Sequence, residues 1–177
     1  SSENKLIIER GNAEDLKVNS DEGALAISSK GAKEKIKAVV YYNSAIETIA
    51  ASAGVEITGK DIITTSSCSI SAASGCEVTL KVAVNDLNTA VASGSEVTIS
   101  GSAKNHLAAV ASGAELNADK LMVGDTIISV ASGAEASIHS TGTVNATVAS
   151  SAELNIHGNP KDINKVKANG GEINIIR

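Results

Sequence analysis

Seven near-copies of one short motif limit what this chain can fold into. They read ASAGVEI (51–57), AASGCEV (72–78), VASGSEV (91–97), VASGAEL (110–116), VASGAEA (130–136), VASSAEL (148–154) and KANGGEI (167–173). Their glutamates are Glu56, Glu77, Glu96, Glu115, Glu135, Glu153 and Glu172, spaced by 21, 19, 19, 20, 18 and 19 residues. Such a period over seven copies marks a repeat architecture, in which each unit buries its apolar side only against its neighbours.

The pattern after each glutamate identifies the element. One residue on stand Ile57, Val78, Val97, Leu116, Ala136, Leu154 and Ile173, all apolar. Two residues on stand Thr58, Thr79, Thr98, Asn117, Ser137, Asn155 and Asn174, all polar. Three residues on the chain is apolar again (Leu80, Ile99, Ala118, Ile138, Ile156, Ile175), with Gly59 the exception. Alternation with period two is a half-buried strand, and the Ser-Gly before each Glu is a corner where Gly can take positive φ. A second apolar set, Leu87, Leu107, Ile127, Val144 and Ile163, sits mid-repeat and leads back into the next corner.

A turn of this length with short strands and no helical period is one coil of a single-stranded parallel β-helix, its coils stacked about 4.8 Å apart. The drift in coil length from 18 to 21 residues departs from the strict hexapeptides of the left-handed form, so a right-handed solenoid is expected. The composition agrees. The chain has two Tyr, one Met and no Phe or Trp among its 177 residues, so the interior is built from small aliphatic side chains that suit a narrow, regular core. Residues 1–177 read as one β-helical domain. Residues 51–177 hold the regular repeats, and residues 1–50, with KLIIE (5–9), LKV (16–18), ALAIS (24–28) and IKAVVYY (36–42), form irregular coils that begin the same solenoid.

Several function classes are disfavoured. A net charge of −5 argues against nucleic acid, whose binders show a basic face; the Lys-rich run KGAKEKIK (30–37) reads as a solvated segment. No apolar run is long enough to span a membrane as a helix. No signal-peptide pattern opens the sequence, which begins at Ser1, and no compartment follows from that. Cys68 and Cys76 are too few for a disulfide framework and read as two small buried thiols. The glycines fall at corners rather than in a phosphate loop, the serines form no nucleophile motif, and no cofactor is expected. The only arginines, Arg10 and Arg177, stand near the ends, whereas a polysaccharide lyase or hydrolase needs clustered carboxylates and bases in one special coil. The single Thr column turns to Asn and Ser after Thr98, which is not an ice-binding face. Of the aromatic pair Tyr41 and Tyr42, alternation turns one inward.

One position breaks the repeat. Four residues past each Glu stand Lys60, Lys81, Ser100, Asp119, His139, His157 and Ile176. A constant register would place Asp119, His139 and His157 in one outward column. Two His on adjacent strands can share an ion such as Zn²⁺ or Cu²⁺, but exposed polar residues on a solvated face account for the pattern, so no metal site is assigned. Asp119, His139 and His157 remain candidate ligand-binding residues, and His106 has no assigned role.

The segments ALAISSK (24–30) and KAVVYYNSAIETIAASAGVEI (37–57), the SG-x-E-[VL] coils, and the close LNIHGNPKDINKVKANGGEINII (154–176) together resemble the auto-transporter adhesin head, or GIN, domain family of bacterial envelope proteins. Gly158, Asn159, Pro160, Gly170, Gly171, Ile173 and Asn174 carry the closing signature, while Ser151 and Asn169 depart from the corner pattern. The resemblance implies a parallel β-helix in the cell envelope or outside a Gram-negative bacterium, with adhesion as the suggested role. The sequence thus favours a non-enzymatic adhesin or binding scaffold over a polysaccharide-active enzyme. The partners it suggests are a host or envelope glycan or protein, or a second copy docking on the solenoid end at EINIIR.

Overall fold

A computed structural model describes residues 5–10, 13–21, 24–29, 37–42 and 45–176; the Lys-rich run lies outside them but for Lys37. Strands β1 (Lys5–Arg10), β2 (Leu16–Asp21), β3 (Ala24–Ser29) and β4 (Lys37–Tyr41) precede the first motif, and β5 (Thr48–Ser52) enters it. Strands β6 (Glu56–Ala73), β7 (Glu77–Ala92), β8 (Glu96–Ala111) and β9 (Glu115–Ala131) each run from one corner to the next. The later coils divide into β10 (Glu135–Ser140), β11 (Thr143–Ala149), β12 (Glu153–His157), β13 (Asp162–Ala168) and β14 (Glu172–Ile176). From β5 onward every pairing is parallel. The chain forms the expected parallel β-helix, of about seven turns.

Register follows the motif. All seven repeat glutamates stand opposite one another in a single ladder, and the Thr58–Thr79–Thr98–Asn117–Ser137–Asn155–Asn174 column runs beside it. At its end the Asn174 side-chain amide donates to Asn155 Oδ1 at 3.1 Å and to Glu153 Oε1 at 3.0 Å. Each corner places two residues, not one, in the left-handed region: Ser93 and Gly94 have φ of 55° and 67°, and Ser150 and Ser151 have 57° and 58°. This bends the chain while aiming its peptide groups along the solenoid axis. The Gly94 N–H donates to the Ser112 carbonyl at 3.1 Å, and the Gly54, Gly75, Gly113 and Gly133 amides donate in the same way. The backbone ladder therefore continues around the bend and leaves few peptide groups to desolvate.

Bulges absorb the drift in coil length. Register shifts fall between Thr58 and Ile62, between Thr98 and Gly101, and between Ile138 and His139. All lie shortly after the Glu–Thr/Asn segment, so each extra residue is accommodated before the chain returns to the next corner.

The core consists of stacked inward columns. Val78, Val97, Leu116, Ala136 and Leu154 form one, and Leu80, Ile99, Ala118, Ile138 and Ile156 form the next; all are buried. On the approach to the corner the inward column is Cys68–Leu87–His106–Thr126–Val144–Ile163. Of the mid-repeat apolar set, Leu87, Val144 and Ile163 face inward, whereas Leu107 and Ile127 point out and His106 and Thr126 stand inside on their coils. Cys68 and Cys76 are buried free thiols, as expected. Tyr42 packs against the core and Tyr41 is exposed.

The first fifty residues are less solenoidal than the sequence suggests. β3 does pair parallel with β5, but β2 pairs antiparallel with β3, and β1 and β4 form a two-stranded antiparallel sheet of their own. A hairpin, rather than further coils, closes this end of the parallel stack. At the other end β13 and β14 are edge strands. There Lys165 and Lys167 occupy the register positions of the buried Ala146 and Val148 and are exposed.

Candidate functional site

Two lateral faces carry side chains that the fold itself does not need. The first lies on the strands leading into each corner. Its central column is Asn88–Leu107–Ile127–Asn145–Asn164, and beside it runs Ala90–Ala109–Ser129–Thr147–Val166. Small residues in the second column leave an open hollow of about 750 Å³ over the last coils, with Lys165 on its border. Leu107, Ile127 and Val166 are 53%, 56% and 60% exposed there. Apolar side chains so exposed in one patch stay in contact with water after folding. The asparagines hold the flank in shape, with Asn164 Nδ2 donating to Asn145 Oδ1 at 3.0 Å.

The second face lies just past the glutamate ladder. His139 and His157 stand directly opposite one another on β10 and β12. Asp119 does not join them. The β9 bulge takes Asp119, Lys120 and Leu121 out of step with β10, and Met122 becomes the partner of His139. The outward column therefore reads Ala83–Ser102–Met122–His139–His157–Ile176. Both imidazoles are half-buried, while Met122 is 59% exposed. Among the described residues no three of His, Cys, Asp and Glu come together as a metal cluster.

The glutamate ladder is an electrostatic feature of the corner. Burial, followed by the charges of Glu96 and Glu135, raises the pKa of Glu115 above the usual carboxylate range. Loss of water around the carboxylate is the larger cause, and the like charges stacked one strand away add to it.

His106 is the functional-looking residue that sequence reasoning passed over. It is 2% exposed. Its Nε2 shares a hydrogen bond of 2.5 Å with Thr89 Oγ1, while its Nδ1 and the Thr126 Oγ1 on the next coil have no partner. Burial pushes its pKa down to about 4. With no route to solvent, this imidazole is a neutral core residue rather than an acid or base for substrate.

The family model described as "putative auto-transporter adhesin, head GIN domain" matches residues 1–160. The chain belongs to that family. The match ends at Pro160, so Gly158, Asn159 and Pro160 fall within it while Gly170, Gly171, Ile173 and Asn174 lie beyond. No protein of curated function matches the chain. Among solved structures, the GIN-domain chain is similar to a putative adhesin from Parabacteroides distasonis, with a TM-score of 0.75 at 16% identity over 97% of this chain and 82% of that one. A putative adhesin from Parabacteroides merdae gives 0.68 at 18% identity, again over 97% and 82%. A protein from Parabacteroides distasonis described as a putative lipid binding protein gives 0.66 at 18%, over 97% and 83%. At these identities the likeness is one of fold. No helix among the described residues is long and apolar enough to cross a membrane.

Proposed function

We propose that this GIN-domain chain is a non-enzymatic protein of the Gram-negative cell envelope or surface, an adhesin-like scaffold that holds a protein partner against its lateral face. The observation that carries the reading is the hollow over Leu107, Ile127 and Val166, where a stretch of exposed apolar side chains is set in a rigid stack. Its lining has no aromatic ring, and sugars are gripped chiefly by such platforms. Apolar side chains between amides and hydroxyls suit a polypeptide surface better than a glycan. Four coils at about 4.8 Å give the hollow a length of roughly 14 Å, room for a few side chains of a partner. Membership of the family supports the envelope setting and the adhesive role. A non-enzymatic role is supported by the carboxylates, which form one continuous ladder instead of gathering in a single coil.

The test pairs location with binding. Protease shaving of intact cells should remove the protein if it lies on the outer surface. A Leu107→Asn/Ile127→Asn variant should fold with unchanged melting temperature and lose capture of the partner isolated with the native protein. Unchanged capture by that variant refutes the lateral face. Co-purification of an acyl lipid in place of a protein, lost in the same variant, would replace the proposed partner with a lipid.

A further inference from the structure

We infer that Met122, His139 and His157 form a binding site for one soft monovalent metal ion, Cu(I) or its analogue Ag(I). The site is created by the β9 bulge. By residue count the column would hold a carboxylate, Asp119, beside the two imidazoles. The pairing instead sets the thioether of Met122 opposite His139, and His139 opposite His157. One thioether sulfur and two imidazole nitrogens, with no carboxylate in the column, are a donor set that selects Cu(I) over Zn²⁺, Ca²⁺ or Mg²⁺.

Geometry supports convergence on one ion. In-register parallel strands hold the two histidine backbones about 4.8 Å apart, and two metal–nitrogen bonds of about 2 Å put the donor atoms up to about 4 Å apart, a distance the two rings reach by leaning slightly toward one another. The His139 ring leans toward the β12 side. A Cβ on Gly158, the residue after His157, would stand 2.9 Å from both His139 Cδ2 and Nε2. The same Cβ would meet the Ser140 carbonyl oxygen at 2.6 Å, and φ there is +91°, so glycine is required by the backbone and the His139 ring packs against the space it leaves. Neither imidazole hydrogen-bonds to another group among the described residues, so its nitrogens are available as ligands. Met122 is exposed, unbranched and flexible at three bonds, and can swing over the pair as the third donor. The buried thiols do not compete: Cys68 lies in the core with its pKa pushed up by burial to about 11, and Cys76 Sγ donates to the Ala73 carbonyl.

The chain has a single methionine and three histidines, which makes the test direct. The native protein is titrated anaerobically with Cu(I), and separately with Ag(I), while the Met122 ε-methyl and the imidazole ¹⁵N signals are followed by NMR. The expected result is saturation at one equivalent, with Met122, His139 and His157 shifting and His106 unmoved. In competition with a chromophoric chelator, Met122→Leu and His157→Asn should each weaken the ion by about ten-fold or more, without a change in melting temperature. A Met122 methyl that does not move at one equivalent overturns the proposal. So does a Met122→Leu protein that keeps native affinity, or one whose preferred ion is Zn²⁺.

Discussion

The buried imidazole of His106 should make this fold acid-sensitive in a window where few other groups act. Its pKa is about 4 in the folded chain against 6.5 when solvated, so protonation favours the unfolded state. The stability tied to the neutral ring is fully present above about pH 6.5 and is lost as pH falls toward 4. Integrating the linkage relation with these two values gives a loss of about 2 kcal/mol between pH 7 and pH 5. With a urea slope of about 2 kcal/mol per molar for a domain of this size, the midpoint should fall by about 1 M. The control is the His106→Leu/Thr89→Val double variant, which removes the ring and the hydroxyl bonded to it. Replacing both partners by apolar groups of similar shape should leave stability at pH 7 within about 1 kcal/mol of native. His139, His157 and the carboxylates are common to both proteins. Glu115, with its raised pKa, contributes in the opposite sense, favouring the folded state as pH falls, and cancels in the comparison. Urea unfolding by far-ultraviolet circular dichroism at pH 7 and pH 5 measures the difference. Equal shifts in the native and double-variant midpoints would refute the assignment of the acid sensitivity to His106.

Two further substitutions test the backbone account. Ser151→Gly should stabilise the protein, because Ser151 sits at φ 58° where the other regular corners carry glycine. Relief of left-handed strain, less the added freedom of the unfolded chain, leaves a gain of up to about 1 kcal/mol, read as a rise in melting temperature. Gly101→Ala should cost at least about 3 kcal/mol, since φ is +113° and the new methyl would overlap the Val82 carbonyl oxygen. Gly59→Ala meets only the end of the Leu80 side chain and should cost about 1 kcal/mol; equal losses at the two sites in chemical denaturation would count against the distinction.

The parts of this structure visible in the sequence are those that repeat with constant phase. The glutamate ladder, the Thr/Asn column and the inward residues beside them follow directly from counting forward from Glu, because no residue is inserted before the bulges. Counting across a bulge fails. Asp119 was expected beside His139, but three residues of β9 lie out of step there, so Met122 is the actual neighbour. Leu107 and Ile127 join the mid-repeat apolar set by residue type, which does not fix the face they take. Counting back by twos from the corner valines, Val110–Ala108–His106 and Val130–Ile128–Thr126, would have turned them outward and found the buried imidazole. Residue type is silent where phase is informative, because exposed and buried positions here use the same aliphatic residues. The N-terminal hairpin was illegible for another reason: short apolar strands pair parallel or antiparallel according to the connections between them, and the repeat offers no phase there.

The charged terminal coil has a consequence for colloidal behaviour. A stack of parallel strands ends in a row of open peptide groups, a template on which the same sequence could add indefinitely, as in a cross-β fibre. Lys165 and Lys167 stand where the next layer would demand aliphatic side chains. Elongation at this face would trap two ammonium groups in a dry interior without counterions, at a cost of several kcal/mol each. Lys165 and Lys167 thus disfavour stacking a further layer on β13, and replacing both by valine should raise end-to-end association, read as concentration-dependent growth in sedimentation velocity.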